Sequence, residues 1–375
     1  MEPHDLPRRA ADELTALRSL PLRLGGMDLA GGMLSAFITA HWRRDGILGD
    51  LARFLGEWQA CSPTMKVRTS GSTGEPKPLR VEKRRMAASA RRTCGHLGVP
   101  PGTSVLLAMP LDYIAGKMVV VRALVCGLDL VAVEPSASPL RACAEAPFFA
   151  ALTPMQAWES LRDPHTARLL RDIRHLLLGG GAITPALAKE LAAFPNAVWS
   201  SYGMTETLSH VALRRLDGER ATGWYTPLEG VRVSLTPEGT LRIEDPATCP
   251  APLATNDLAE LDAHGRFRVL GRRDNVVDSG GIKIQLERVE TALAGVIPGD
   301  FCATAVPDDS LGERLVLLCV TPLEDTVMRD LCRPLLPDHW CPRQAYRVDG
   351  IPRTGTGKIA RAEAKALAER AAARG

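Results

Sequence analysis

SVLLAMP (Ser104–Pro110), DLVAVEP (Asp129–Pro135), FFAALTP (Phe148–Pro154), HLLLGGG (His175–Gly181) and AVWSSYG (Ala197–Gly203) follow one another along the middle of the chain. Each is a short apolar run ending in proline or glycine, which reads as a strand and its exit. Between them lie helical patterns at Ala115–Cys126, Met155–Asp172 and Pro185–Phe194, the last with a proline near its first turn, where proline is tolerated. Strands that are apolar on both faces and alternate with helices predict a mostly parallel sheet covered by helices. Ligands of such sheets gather outside the carboxyl ends of the strands. Two uncommon strings, GGGAIT and SYGMTE, fall at such ends.

After Gly223 the texture changes. Val231–Leu235, Thr240–Glu244 and Leu258–Leu270 are short alternating runs broken by PEG and DAHG, which predict antiparallel hairpins. GRRDN, beginning at Gly271, reads as a linker to a separate unit with a helix over Gln285–Leu293 and a strand at Leu315–Val320. An alanine-rich helix from Ile359 onward closes the sequence. The fold class expected is therefore α/β, with a large, mostly parallel unit, an antiparallel region and a small C-terminal α+β unit.

The 375 residues suffice for two domains, and 45% hydrophobic with 24% charged residues is the mix of an ordinary soluble protein. A net charge of +3 carries no broad nucleic-acid footprint. Nine cysteines without any CxxC pair argue against a zinc site or a disulfide framework, and predict reduced thiols in the cytoplasm. The first residues hold no apolar secretion-like stretch. The most apolar segment, Met118–Val133, is interrupted by Arg122 and Asp129 and is too short to span a bilayer, so no membrane anchor is expected.

The strongest single string is Thr69–Lys77, TSGSTGEPK. Its hydroxyls and glycines make a loop able to wrap phosphate oxygens, with Lys77 adding a charge. It is not a Walker A loop, because Pro76 and Pro78 stand where glycine and Ser/Thr belong. Glu206 in SYGMTET can hold Mg²⁺, or can merely favour a helix dipole behind a Thr205 cap. The ring of Tyr202 can stack on a base. Asp257 and Arg272 flank one predicted hairpin and suit ribose hydroxyls and phosphate, although each is also an ordinary turn or solvated charge. Gly280 and Gly281 imply a sharp bend or a close approach. Lys358 follows Gly355 and Gly357 in PRTGTGK, free to reach another domain's cleft or simply to begin the last helix.

In this order, from Thr69 to the last helix, the strings resemble the adenylate-forming superfamily of acyl-CoA synthetases, adenylation domains and luciferases. The resemblance implies a large domain over residues 1–271, a hinge at 272–275 centred on Asp274, and a mobile domain over 276–375. Thr69, Ser70, Gly71, Ser72, Thr73, Gly74 and Lys77 would hold the ATP phosphates. Gly180, Gly181, Ala182, Tyr202 and Gly203 would border adenine, Thr205 the α-phosphate, and Glu206 magnesium. Asp257 and Arg272 would bind ribose, Gly280 and Gly281 would border the coenzyme A tunnel, and Lys358 would be catalytic. ATP, Mg²⁺ and coenzyme A are thus the expected ligands, with a small carboxylic acid as substrate.

Three features depart from the family. The phosphate loop comes early, which reduces the usual N-terminal subdomain to residues 1–66 and leaves the oligomeric state, a homodimer included, open. The acidic motif after the double glycine reads Leu286-Glu287-Arg288-Val289-Glu290, keeping only the last acid. The loop MPLDYIAGKM has Tyr113 where an aromatic or histidine often sits. Short length and the run YGMTETLSHVAL look most like o-succinylbenzoate–CoA ligases of menaquinone synthesis. That implies a second substrate carboxylate, for which Lys117, Ser209 and His210 are the candidates by position. The alternatives are another acid, loading of a carrier protein, or a non-catalytic nucleotide-binding regulator.

Overall fold

The computed structural model describes residues 5–68, 78–354 and 357–373, with side chains from residue 11 onward. The chain opens with α1 (Asp5–Arg18), a hairpin of β1 (Leu22–Leu24) and β2 (Met27–Leu29), then α2 (Gly31–His41) and α3 (Ile47–Gln59). In α3 the buried residues Ile47, Leu51, Phe54, Leu55 and Trp58 recur at three- and four-residue steps, one stripe of a helix. Trp58 donates its indole N–H to the Leu17 carbonyl at 2.9 Å, fixing α3 to α1. The carbonyls that end α3 lack helical partners and receive cations instead. Arg18 reaches Gln59 at 2.6 Å, and the fully buried Lys83 reaches Trp58 and Ala60 at 2.7 and 2.8 Å.

β3 (Thr64–Arg68) and β4 (Pro78–Glu82) pair antiparallel ahead of α4 (Lys83–Leu97). The predicted strands then appear in order: β5 (Ser104–Leu107), α5 (Ile114–Cys126), β6 (Asp129–Ala132), β7 (Phe149–Leu152), α6 (Pro154–Leu161), α7 (Pro164–Asp172), β8 (His175–Leu178), α8 (Pro185–Ala192) and β9 (Ala197–Gly203). β10 (His210–Arg215) and β11 (Thr226–Pro227) finish a nine-stranded sheet in the order β11-β10-β9-β8-β7-β5-β6-β1-β2. The run from β9 to β1 is parallel, with antiparallel strands only at the edges. The N-terminal stretch therefore extends this sheet, because β1 pairs parallel with β6.

Two expectations change in detail. The helix read over Met155–Asp172 is two helices, since Pro164 cannot continue α6 and instead begins α7, capped by Asp163 through the Thr166 N–H at 3.0 Å. The run Leu258–Leu270 is divided between two strands. β12 (Arg232–Leu235), β13 (Thr240–Glu244), β14 (Leu253–Leu261) and β15 (Phe267–Arg272) form a four-stranded antiparallel sheet. The turn joining the last two is set by Asp262, whose carboxylate accepts from the N–H groups of His264 and Arg266, both at 2.9 Å.

Beyond Arg272 the chain makes its own sheet from β16 (Val276–Ser279), β17 (Ile282–Gln285), β18 (Phe301–Asp308), β19 (Gly312–Cys319) and β20 (Ala345–Arg347), with α9 (Leu286–Leu293), α10 (Asp325–Cys332) and α11 (Arg361–Ala372). Strand alternation divides its two faces. Ala303 and Ala305 pack with Leu293 and Met328, whereas Cys302 and Val306 pack with Ala364 and Ala368 of α11. Arg361 docks α11 by a two-pronged bond to Glu290 of α9, both arms 2.7 Å, and Glu290 also accepts from the Ala303 N–H at 2.9 Å. Thus the one acid kept from the family motif ties two helices to a strand. Glu290→Gln would replace both charge-assisted bonds by weaker ones, and should destabilise this unit by about 2 kcal/mol. Urea unfolding followed by Trp340 fluorescence checks this; an unchanged midpoint would remove the clamp from the account.

Candidate functional site

The carboxyl ends of β7, β8 and β9 lie side by side, and their exits need glycine for specific reasons. Gly180 has φ +78°, and a Cβ on Gly179 would lie 2.6 Å from the Ser201 hydroxyl of β9. Gly203 closes against the returning strand β10, where a Cβ would sit 2.2 Å from the Ser209 carbonyl. Gly180, Gly181 and Ala182 thus leave β8 beside Tyr202 and Gly203 at the end of β9.

Between β9 and β10, Met204–Ser209 is a tight turn rather than a helix N-terminus, so Thr205 caps no helix. Thr205 and Thr207 are buried in it, and the Met204 N–H donates to the Thr207 hydroxyl at 3.0 Å. Leu208 has φ +65°, a conformation its side chain disfavours and the turn imposes. The turn carries Glu206 outward, exposed and without an ion pair among the described residues.

Tyr202 is buried, its ring meets Phe267 edge-on with centroids 5.0 Å apart, and Tyr225 lies 5.8 Å away. Two of the protein's own rings thus pack against it. Its hydroxyl donates to Asp257 at 2.6 Å. Burial, and then the Asp257 carboxylate, hold the phenol's pKa well above its ordinary value, so the proton stays on this bond.

Asp257 on β14 faces Arg272 on β15 in register, with a 3.5 Å ion pair. Arg272 turns most of its guanidinium to Asp274, at 2.8 and 2.7 Å. Lys358, from the far end of the chain, comes within electrostatic range of this group. Its loop is closed by Gly357, at φ +81°, and by Thr354, whose N–H donates to the Lys358 carbonyl at 2.7 Å and whose hydroxyl accepts from the Lys358 N–H at 3.2 Å. Lys358 is exposed as a residue, yet enough protein surrounds its ammonium that desolvation lowers its pKa. Asp257 opposes that shift and Arg272 adds to it, which places the ammonium within their fields.

The linker holds this arrangement. Arg273–Asn275 is a single helical turn, and Gln285 spans it by donating to the Arg272 carbonyl at 2.9 Å. Gly271, at φ +147°, sits under that side chain, where a Cβ would come within 2.5 Å of the Gln285 amide. Gly280 and Gly281, at φ +64° and +84°, form the two-residue turn of the β16–β17 hairpin. The sharp bend explains them.

Ser209 and His210 cluster, and Lys117 does not join them. Lys117 is 9% exposed, with its ammonium 5.5 Å from the centroid of Phe54 on α3, on a different side of α5. Burial lowers its pKa, against the pull of Glu57, Asp112 and Asp50. His210 bonds Thr93 at 3.1 Å, and burial followed by Arg122, Arg92 and His96 pushes its pKa well below the ordinary value, so it is neutral. The cation of the cluster is Arg122. It is 2% exposed and donates to the Ser209 hydroxyl at 2.7 Å, its Nε has no partner, and no carboxylate pairs with it among the described residues. Its signal was in the sequence, as a lone arginine interrupting the most apolar segment.

Thr69, Ser70, Gly71, Ser72, Thr73, Gly74 and Lys77 lie outside the described residues. The two strands that flank them are described: β3 ends at Arg68 and β4 begins at Pro78, paired with each other, with Arg68 bridged to Tyr113.

Comparison with known proteins gives the family. Residues 63–248 match the AMP-binding enzyme family, and residues 288–358 match the AMP-binding enzyme C-terminal domain. The chain is 31% identical over 361 residues to the probable 2-succinylbenzoate–CoA ligase of Mycobacterium tuberculosis, covering 88% of this chain and 91% of that protein. It is 26% identical over 337 residues to the 2-succinylbenzoate–CoA ligase of Listeria monocytogenes, covering 83% and 71%. Among solved structures, an acyl-CoA synthetase (AMP-forming)/AMP-acid ligase II-like protein from Dyadobacter fermentans is 33% identical with a TM-score of 0.59, covering 86% and 95%. The o-succinylbenzoate CoA synthetase of Bacillus subtilis, solved with its acyl-adenylate, has a TM-score of 0.71 at 19% identity, covering 96% and 98%, and so speaks for the fold. The chain belongs to the AMP-binding enzyme family. No described helix is long and apolar enough to cross a membrane.

Proposed function

We propose that the chain is an AMP-forming acid–thiol ligase that converts o-succinylbenzoate, with ATP and coenzyme A, to o-succinylbenzoyl-CoA. The observation that supports the reaction class is the Asp257–Arg272 pair on the β14–β15 hairpin, with Lys358 of the C-terminal unit in range of both charges. The acid is inferred from the ligases named above, and Arg122 adds to it. An arginine buried without a counter-charge is costly, and a substrate carboxylate would supply one.

The first half-reaction has a physical obstacle. A carboxylate must approach an anionic α-phosphate, and like unit charges 4 Å apart repel by about 4 kcal/mol at an effective dielectric near 20. In this reading the loop Thr69–Lys77 and Lys358 offset that repulsion, and Asp257 orients the ribose. A lone exposed carboxylate such as Glu206 fits Mg²⁺, which takes oxygen ligands and keeps water and phosphate in its shell. Bound there, the metal would neutralise phosphate charge. Catalysis is positioning plus electrostatics, with no protein nucleophile. ATP–pyrophosphate exchange over a panel of acids tests the proposal. o-Succinylbenzoate should be the preferred acid, and faster exchange with plain benzoate or a fatty acid would overturn the substrate while leaving the reaction class.

We take residues 1–271 and 276–375 as the two bodies of the enzyme and 272–275 as the hinge, since the second half-reaction needs the thiol to reach the side that Lys358 occupies. Asp274→Pro would push Arg273 out of the helical region that the linker turn requires. It should slow adenylation by about tenfold, the equivalent of ~1.4 kcal/mol against the present arrangement. Thioester formation from supplied acyl-adenylate should be much less affected. Equal effects on both steps would place the hinge elsewhere.

A further inference from the structure

Two thiols that the reaction does not use meet where α4 packs on α5. Cys94 lies in the last turn of α4, and Cys126 is the last residue of α5. The Cys126 thiol donates to the Ala90 carbonyl at 3.7 Å. Ala90 is one turn before Cys94 on the same face of α4, and helical side chains lean toward the N-terminus, so Cys94 leans over the spot that the Cys126 sulfur occupies. Both line one surface cavity of about 580 Å³, walled otherwise by Gly95, Val99, Pro101 and Val125. Cys94 is 5% exposed and Cys126 is half-buried, so a small solute in the cavity meets Cys126 first.

Electrostatics separate the two. The neighbouring Cys94 thiol lowers the pKa of Cys126; burial opposes this, and Arg122 and Arg91 reinforce it. The same neighbourhood raises the pKa of Cys94, as does its burial. The negative end of each helix works against a thiolate, and the two arginines offset it. A thiolate-prone, reachable cysteine beside a buried, protonated one is the arrangement of an attacking and a resolving thiol.

We propose that Cys94 and Cys126 are a peroxide-sensitive dithiol that closes to a disulfide between α4 and α5. The Cys126 sulfur attacks one oxygen of hydrogen peroxide. An S–O bond forms, the O–O bond breaks, and the departing hydroxide takes the thiol's proton as water. Cys94 then attacks the sulfenic sulfur; the S–S bond forms, the S–O bond breaks, and the second hydroxide leaves with the Cys94 proton. Two thiols are oxidised and one peroxide becomes two waters, and a small dithiol reductant reverses the change.

The bridge would also remove the Cys126 thiolate, whose charge favours the Arg122 cation. That consequence rests on the substrate reading above, whereas the cross-link does not, so either can fail alone. The test is hydrogen peroxide added to the full, folded chain, followed by alkylation of the remaining thiols, digestion and mass spectrometry. A peptide joining Cys94 to Cys126 should appear, and should vanish on treatment with dithiothreitol. In Cys94→Ser, oxidation should stop at a Cys126 sulfenic acid that dimedone traps. Recovery of both cysteines in alkylated form from the unsubstituted chain, after exposure that oxidises the exposed Cys61, would overturn the proposal.

Discussion

Lys358→Ala should lower acyl-adenylate formation by about a hundred- to a thousandfold and leave the protein folded. The estimate takes one charged transition-state contact as worth ~3–4 kcal/mol. Folding should survive because Lys358 is an exposed loop residue, and the bonds that shape its loop are made by its backbone and by Thr354. Thioester formation from supplied acyl-adenylate should persist, since in the proposed mechanism the lysine would act only in the adenylation step. The sign of the pH effect follows from the same geometry. Desolvation lowers the pKa of Lys358, so the active, charged form is lost at lower pH than for a free lysine. Adenylation should therefore fall as pH rises through that lowered value, and Lys358→Arg should carry the alkaline limb upward. Stopped-flow measurement of each half-reaction checks both statements. Loss of the two steps in equal measure would refute the role.

Arg122→Leu should cost o-succinylbenzoate about a hundred- to a thousandfold in kcat/KM. The figure corresponds to ~3–4 kcal/mol for removing one partner of a buried charge pair, most of it the penalty of leaving the other charge alone. An analogue lacking the ring carboxylate should be used poorly by the natural chain and little affected by the substitution, because it presents no charge to leave unpaired. The substitution should be tolerated or even stabilising without substrate, since burial works against the arginine's charge. Lys117→Ala, against Phe54, should spare this discrimination. If Arg122→Leu slows both acids alike, the arginine serves the packing of α5 and the carboxylate is held elsewhere.

The sheet was legible because strands buried on both faces announce themselves as unbroken apolar runs, and β5 to β9 follow those runs closely. The glycines at 280 and 281 were legible as a backbone demand, whereas the approach of the Ser209 carbonyl to Gly203 depends on a strand pairing that no local pattern records. Lys117 and Arg122 show the limit most directly. They sit five residues apart on one helix, so they point to different sides, and which side faces Ser209 depends on the packing of α5 against α3 and α4. Position beside a motif favoured Lys117; burial without a counter-charge singles out Arg122. The break in Met155–Asp172 was written in Asp163-Pro164 and needed only the rule that proline begins helices.

In the proposed hinge, the Gln285 side chain laid over Gly271 would bias the order of arrival. Turning of the C-terminal unit about 272–275 would first have to lift that amide from the Arg272 carbonyl. ATP and the acid would then meet the present arrangement, and the thiol would come second. Holding coenzyme A back in this way would protect the enzyme from idle occupancy by a cosubstrate it can use only second. A substitution that merely shortened Gln285 would blur that sequence of events before it weakened either step.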